Sequence, residues 1–355
     1  MRRYSAKERA GVVLFDLPRL LWALRNRDGW ERYGNRGDRL SPAPAGPGTA
    51  CDWEYSRTLH ISDVFPRTGY WLFRRALQSC PIRLAEQPAH GTAAGEPDVS
   101  FIIGHRGKER LPHLLWTIRS LAGQTGVRVE CVVVEQDIEP AVAASLPDWV
   151  RRVHSPPPDP AMPYARAWAF NVGAREARGR LLVFHDNDML LPAEAARLAW
   201  ERFRAGWEVI QLKRFVFYRS APAPEEQNPA DLRGNWTLEY VCENLAAGGS
   251  LAVSRTAFEA IGGFDERFIG WGGEDDEFWD RCRTRKVWPY GCLPVVHLGH
   301  ESQEGKREVN GMGRFTADLT RKRRALDPLV RIRELRSRRR GELAGPAAGP
   351  GEAAS

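Results

Sequence analysis

The sequence predicts an α/β sandwich with a mostly parallel central sheet flanked by helices. Short apolar runs of buried-strand type, Val99-Ser-Phe-Ile-Ile103, Val127 to Glu135 and Leu181-Leu-Val-Phe184, alternate with segments of helical spacing. Each run ends in a polar cluster: Gly104-His-Arg106, Glu135-Gln-Asp137 and His185-Asp-Asn-Asp188. In sheets of this kind ligands sit beyond the carboxyl ends of the strands, where the strand order switches.

Residues 1 to 95 read as an N-terminal extension of unassigned role. It holds scattered aromatics (Trp22, Trp30, Trp53, Trp71) and a linker-like stretch, Ser41-Pro-Ala-Pro-Ala-Gly-Pro-Gly48. A second break, Ala89 to Pro97, precedes the first strand, so the main domain is expected over 96–305. Within it Leu111 to Leu121 is helical, with Gly123 placed to stop it, and Ala165 to Ala177 and Ala193 to Arg204 flank the Leu181 strand as helices. A basic helical segment is expected over 306–340 and a disordered, low-complexity tail over 341–355.

Composition narrows the classes. The 355 residues, 43% hydrophobic, can bury one large core with appendages. No uninterrupted apolar run approaches the ~18 to 20 residues of a spanning helix. Gly11 to Leu24 is broken by Asp16, Pro18 and Arg19, so a secretory leader is not expected. The six cysteines show no paired C-x-x-C spacing, and reduced thiols in a cytoplasm fit them. The net charge of +7 is local: ten basic residues stand against Asp327 and Glu334 between Arg321 and Arg340, and the rest of the chain is near neutral.

Asp186-Asn-Asp188 holds two carboxylates at a strand terminus. A plain turn is one reading. The other is a divalent-metal site, with one carboxylate on the cation, the second on a sugar or ribose, and the cation clamping a diphosphate. In Phe268-Ile-Gly-Trp-Gly-Gly-Glu-Asp-Asp-Glu277 a glycine loop runs into four acids. A helix N-terminus accounts for the acids through its unpaired amides and dipole. It does not account for Trp271 among glycines, which suits stacking on the C–H face of a sugar, with Asp275 as a general base. His297 and His300 follow a strand-like run, and with Asp188 either would complete a carboxylate-plus-imidazole site suited to Mn²⁺, less well to Mg²⁺. Arg106 and Arg166 are candidates to pair with phosphate oxygens, and Gln136, in the second cluster, to contact the same donor.

The series Tyr164-Ala-Arg-Ala-Trp-Ala-Phe-Asn-Val-Gly173, Phe184-His-Asp-Asn-Asp-Met-Leu-Leu-Pro192, Gly248-Gly-Ser-Leu-Ala-Val-Ser-Arg255, Gly262-Gly-Phe-Asp265 and Gly270-Trp-Gly-Gly-Glu-Asp-Asp276 resembles the GT-A glycosyltransferases. Within them it is similar to family 2 enzymes and to the C-terminal region of the β-1,4-galactosyltransferases, over about residues 98 to 302. The resemblance implies a GT-A fold in which Asp188 ligates the metal, Asp186 contacts the donor and Asp275 is the base. It further implies that Glu274 and Asp276 bind sugar hydroxyls, and that Trp271 forms part of the sugar wall on a loop hinged at Gly270, Gly272 and Gly273. His297 is its first imidazole ligand and His300 the second choice. Asn187, polar where an apolar residue is common, and the loop Gly-His-Arg-Gly107 depart from the galactosyltransferase pattern.

The implied function is an inverting, metal-dependent glycosyltransferase using Mn²⁺ or Mg²⁺. It would move a galactose or N-acetylhexosamine type of sugar from a UDP-sugar to a saccharide, lipid-linked or small-molecule acceptor hydroxyl. Two rivals stand beside it. A nucleotidyltransferase would need a longer basic phosphate loop than Gly104-His-Arg-Gly107. A non-catalytic sugar- or membrane-binding protein would work through the 321–340 tract, with Leu326, Leu329, Val330 and Leu335 as its apolar side, at the inner face of a membrane. No specific nucleic-acid partner is expected.

Overall fold

The computed structural model describes residues 4–52, 57–89, 95–220, 238–243, 248–300 and 314–338. Trp53, Arg339, Arg340, residues 301–313 and the 341–355 tail lie outside the described residues. In chain order the strands are β1 (Leu40–Pro42), β2 (Thr49–Cys51), β3 (Arg57–Thr58), β4 (Val99–His105), β5 (Val129–Glu135), β6 (Val150–His154), β7 (Leu181–His185), β8 (Met189–Leu190), β9 (Val209–Ile210), β10 (Lys213–Arg219), β11 (Leu238–Glu243), β12 (Ser250–Ser254), β13 (Val287–Trp288) and β14 (Leu293–His297). The helices are α1 (Ala6–Gly11), α2 (Leu17–Arg25), α3 (His60–Val64), α4 (Pro66–Ser79), α5 (Leu111–Ala122), α6 (Arg166–Glu176), α7 (Ala195–Arg204), α8 (Arg255–Ala260), α9 (Glu274–Cys282), α10 (Arg314–Arg324) and α11 (Pro328–Arg336).

A seven-stranded sheet runs β13-β9-β12-β7-β4-β5-β6. The ladders β7·β4, β4·β5 and β5·β6 are parallel, while β12 runs antiparallel to both its neighbours. Strand β4 is buried on both faces, as a helix-covered parallel strand must be, and its side chains alternate. Phe101 and Ile103 pack toward α5 and α7, through Leu114, Ile118 and Ala196, whereas Ile102 packs toward α6 and α9, through Phe170 and Phe278. The chain leaves β4 toward β5 on one side and returns as β7 on the other. The switch point therefore lies at the carboxyl ends of β4 and β7.

A second sheet, β3-β11-β10-β14-β8, was not read from the sequence. It is the surface against which the N-terminal residues fold: Leu20, Ala23, Trp30, Leu72 and Phe73 share one core with Phe215, Phe217, Val241 and Val296. Strand β3 adds an edge to it through Thr58 and Cys242. The buried Arg214 guanidinium bonds the Glu31 and Tyr33 carbonyls and the Glu243 carboxylate. Residues of the first 95 thus complete the sheet rather than hang from it. The Pro/Gly stretch is likewise no linker: it closes the hairpin β1–β2, with Ser41 opposite Ala50, and Thr49 bridges to Gly291.

The basic segment forms α10 and α11, but three of its arginines are turned inward. Arg331 pairs with Glu277 (3.1 Å) and Asp280 (3.3 Å), Arg324 with Asp280 (2.9 Å), and Arg323 with Asp265 (3.1 Å) and Glu334 (2.6 Å). Leu335 is buried against Gly262. Within the expected basic helical segment these three arginines serve as counter-charges to acids of α9 and its approach.

Candidate functional site

Asp186, Asn187 and Asp188 form the turn between β7 and β8 at the switch point. The Asp186 amide donates to the Gly249 carbonyl (2.8 Å), tying the turn to the start of β12. Asn187 reaches across to β4, its Nδ2 3.0 Å from His105 Nδ1. The polar residue that departs from the family pattern thus pairs with the buried histidine of the other departing loop. Asp188 is buried and meets the end of β14: its Oδ2 lies 3.2 Å from His300 Nε2 and its Oδ1 3.7 Å from His297 Nε2. The antiparallel pairing of β14 with β8, His297 opposite Met189, brings them together. Tyr218 stacks on His297 with centroids 4.6 Å apart, and His113 Nε2 meets the Gly299 carbonyl at 2.9 Å.

Asp188, His297 and His300 offer ligand atoms all within 4.8 Å of one another. The Oδ1 of Asp188 is buried and accepts no hydrogen bond among the described residues. A buried carboxylate oxygen normally has a partner, and one carboxylate with two imidazoles is a donor set that suits a divalent transition-metal ion. These residues fit such an ion, and both histidines, not one, converge on the site.

The second half of the site is built on α9. Gly273 caps this helix at φ 88°, and a Cβ there would strike Thr320 Oγ1 and Phe268, so only glycine serves. Glu274, Asp275, Asp276 and Glu277 fill the first turn, as a helix N-terminus favours. Arg166, the first residue of α6, binds three carboxylates from two segments: Asp186 at 2.6 Å, Glu274 at 3.2 Å, and Asp275. Its guanidinium also lies 4.5 Å from the Phe170 ring centroid. Opposite, Gly248 at φ 93° backs onto Asp275, where a Cβ would stand 3.1 Å from Oδ2.

The crowding of acids sets their protonation. Burial raises the Asp186 carboxyl to about 6, with Asp188 and Asp275 adding to it and Arg166 opposing. Burial and Asp275 raise Glu274 to about 7, again against Arg166. Burial also acts to raise Asp188, but His297, His300 and Arg110 outweigh it and hold that carboxyl well below its ordinary value. Within the Asp186-Asn-Asp188 turn the two carboxyls are thus pushed in opposite directions, Asp188 down and Asp186 up.

Three expected residues fall differently. Gln136 is buried with its amide spent on both backbone groups of Ala165 (3.0 and 2.9 Å). It fixes the start of α6, and so Arg166. Arg106 donates to the Met162 (2.6 Å) and Pro160 (3.3 Å) carbonyls, pinning the loop before α6. Arg166 is held by carboxylates where a phosphate partner was expected. Trp271 is 43% exposed between Gly270 and Gly272, both at positive φ, and its carbonyl accepts from Thr316 of α10 (2.9 Å).

Two residues were missed. Arg110 lies 3.4 Å from Asp188 Oδ2; the run of charges after β4 was the available signal. Lys213 opens β10 buried, donates to the Ser250 carbonyl, and is brought down to about 7 by burial. A lysine heading the apolar run Phe215-Val-Phe217 was its only trace.

A family model described as the N-terminal domain of galactosyltransferase matches residues 235–288. Beta-1,4-galactosyltransferase 5 of Sus scrofa is 27% identical over 181 residues, 47% of this chain and 39% of that relative. Beta-1,4-galactosyltransferase 1 of Bos taurus is 28% identical over 106 residues, 29% of this chain and 26% of that relative. The chain thus spans well under half the length of these relatives. The solved catalytic domain of Drosophila beta1,4galactosyltransferase 7, in complex with xylobiose, aligns with a TM-score of 0.38 and 19% identity over 63% of this chain and 79% of that one.

Proposed function

From a galactosyltransferase-like GT-A fold we infer that this chain is a glycosyltransferase, one that moves a galactose or N-acetylhexosamine type of sugar from a UDP-sugar to an acceptor hydroxyl with inversion. The observation that carries the reading is the meeting, at one switch point, of two unlike sets: Asp188 with His297 and His300, and Asp186 with Arg166, Glu274 and Asp275. Sequence likeness to beta-1,4-galactosyltransferases supports it.

Asp188, His297 and His300 would hold a divalent cation, Mn²⁺ better than Mg²⁺, which when bound neutralises the charge on a departing diphosphate. Asp186 would accept a donor hydroxyl. Asp275, at the mouth of the Trp271 loop, takes the proton of the acceptor hydroxyl. The acceptor oxygen then forms its bond to the anomeric carbon as the bond from that carbon to the diphosphate oxygen breaks, releasing UDP. Trp271 offers a ring face to a sugar and, with its glycine neighbours, a wall against water.

Calorimetric titration with UDP, with and without Mn²⁺, on the parent chain and on Asp188→Ala tests the reading. Metal-dependent binding lost in the variant supports it and leads to a donor-sugar screen. Absence of binding to UDP, GDP, CDP and TDP alike overturns it.

A further inference from the structure

Residues 11 to 25 present apolar side chains on two faces, and among the described residues only one is covered. Val12, Leu20 and Ala23 point into the core beneath the second sheet. On the other face Val13, Leu14, Phe15, Leu21 and Trp22 stand in solvent, with Leu14 at 67%, Phe15 at 55% and Trp22 at 54% exposure. Val12 to Asp16 forms a π-type turn, whose wider winding turns less per residue and so keeps three consecutive side chains on the outer side. Leu14 and Leu21, and Phe15 and Trp22, are seven residues apart, which returns each pair to one face of a helix.

The charges around this ridge have one prevailing sign. Between Tyr4 and Arg36 lie seven basic residues and four acids. One of the acids, Asp16, is buried, with Arg19 3.8 Å away. Arg9, Arg25, Arg27 and Arg36 are exposed at the two ends of the ridge, and the Arg36 guanidinium lies 5.3 Å from the Phe15 ring centroid. Helix α4, which packs against α2, adds exposed Trp71 with Arg67 and Arg74. Contiguous exposed apolar side chains on a folded protein mark an interaction surface. Leucine and aromatic side chains along a surface helix, rimmed by arginines whose stems can reach past them, match the interface of a bilayer carrying acidic headgroups.

We propose that the outer face of residues 13–22 docks on an anionic membrane surface, with Leu14, Phe15 and Trp22 entering the headgroup boundary and the flanking arginines meeting lipid phosphates and carboxylates. This surface lies in the N-terminal part of the chain, not in the 321–340 tract, whose Arg323, Arg324 and Arg331 are engaged inside the fold. The proposal does not depend on the glycosyltransferase reading.

Co-sedimentation of the full chain with phosphatidylcholine vesicles, with and without phosphatidylserine, tests it. The parent chain is expected to sediment with the acidic vesicles only. Leu14→Ser/Phe15→Ser/Trp22→Ser is expected to lower that binding by about tenfold or more, while Leu326→Ser/Leu329→Ser leaves it unchanged. The substituted side chains are exposed, and circular dichroism of both variants checks that they fold. Sedimentation velocity without vesicles completes the test. Failure to bind acidic vesicles, equal binding by the first variant, or loss only in the second overturns the proposal. A parent dimer that the first variant dissociates, without vesicle binding, overturns it in favour of a second copy of this chain.

Discussion

Nε2 of His300 lies 3.2 Å from Oδ2 of Asp188, although 112 residues separate them, because β14 pairs antiparallel with β8 directly after the Asp186-Asn-Asp188 turn. The other oxygen of the same carboxylate is buried and accepts no hydrogen bond among the described residues, with His297 Nε2 3.7 Å away. A cation would supply the missing partner. Asp188→Ala is expected to weaken Mn²⁺ binding by more than about a hundredfold, beyond the loss seen when only a supporting partner of a metal ligand is removed. Calorimetric titration with Mn²⁺ alone reads this; unchanged affinity would take Asp188 out of the ligand set.

Asp275 occupies a different position, one third exposed and bonded to Arg166. Asp275→Asn keeps an acceptor for the guanidinium and removes the basic oxygen. Transfer is expected to fall by about 10² to 10⁴, the range of a general base, with UDP and Mn²⁺ affinity within a few-fold of the parent. A variant that turns over at the parental rate would assign the proton to another group.

These two clusters differ in how plainly the sequence announces them. The strands Val99–His105 and Leu181–His185 are uninterrupted apolar runs, so their ends, and the polar clusters there, could be read locally. Helix α5 stops where Gly123 was placed to stop it. Nothing local says that Arg166 binds Glu274 and Asp275, more than a hundred residues onward. The second sheet was hidden for the same reason. Its strands β10 and β11 pair with each other and with β14 and β3, and the residues that cover it come from the first eighty, so its pattern is meaningful only once those partners are known. The inward turn of Arg323 and Arg331 was hidden because charge was counted without its acids: Glu277, Asp280 and Asp265 lie outside the tract.

The raised carboxyl of Glu274 makes a stability prediction in the metal-free chain. Folding lifts it from 4.5 to about 7, so between these values the folded state holds more proton than the unfolded one. Stability contributed by this group is therefore full below pH 4.5 and is lost as pH climbs to about 7. Glu274→Gln cannot titrate. Its stability relative to the parent should rise across that window by roughly 2 to 3 kcal/mol, read from urea midpoints at several pH values. A pH-independent difference would mean that Glu274 does not carry the shift.

Arg331 is buried at 1% exposure and lies between Glu277 and Asp280 of α9, the helix whose first turn carries Asp275. Arg281 also pairs with Glu277, at 2.6 Å, so two guanidinium groups share one buried carboxylate. Removing one side of such a cluster leaves charge in the interior without its partner, which costs more than the intact pair contributes. Arg331→Met, close in length and apolar, is expected to lower unfolding stability by about 3 kcal/mol. Exposed Arg333→Met, on the same helix, should change it by less than about 0.5 kcal/mol. Urea denaturation of both variants decides the matter. Equal effects would return the whole tract to a solvated strip, whereas the expected contrast makes α11 part of the scaffold that holds Asp275 in place.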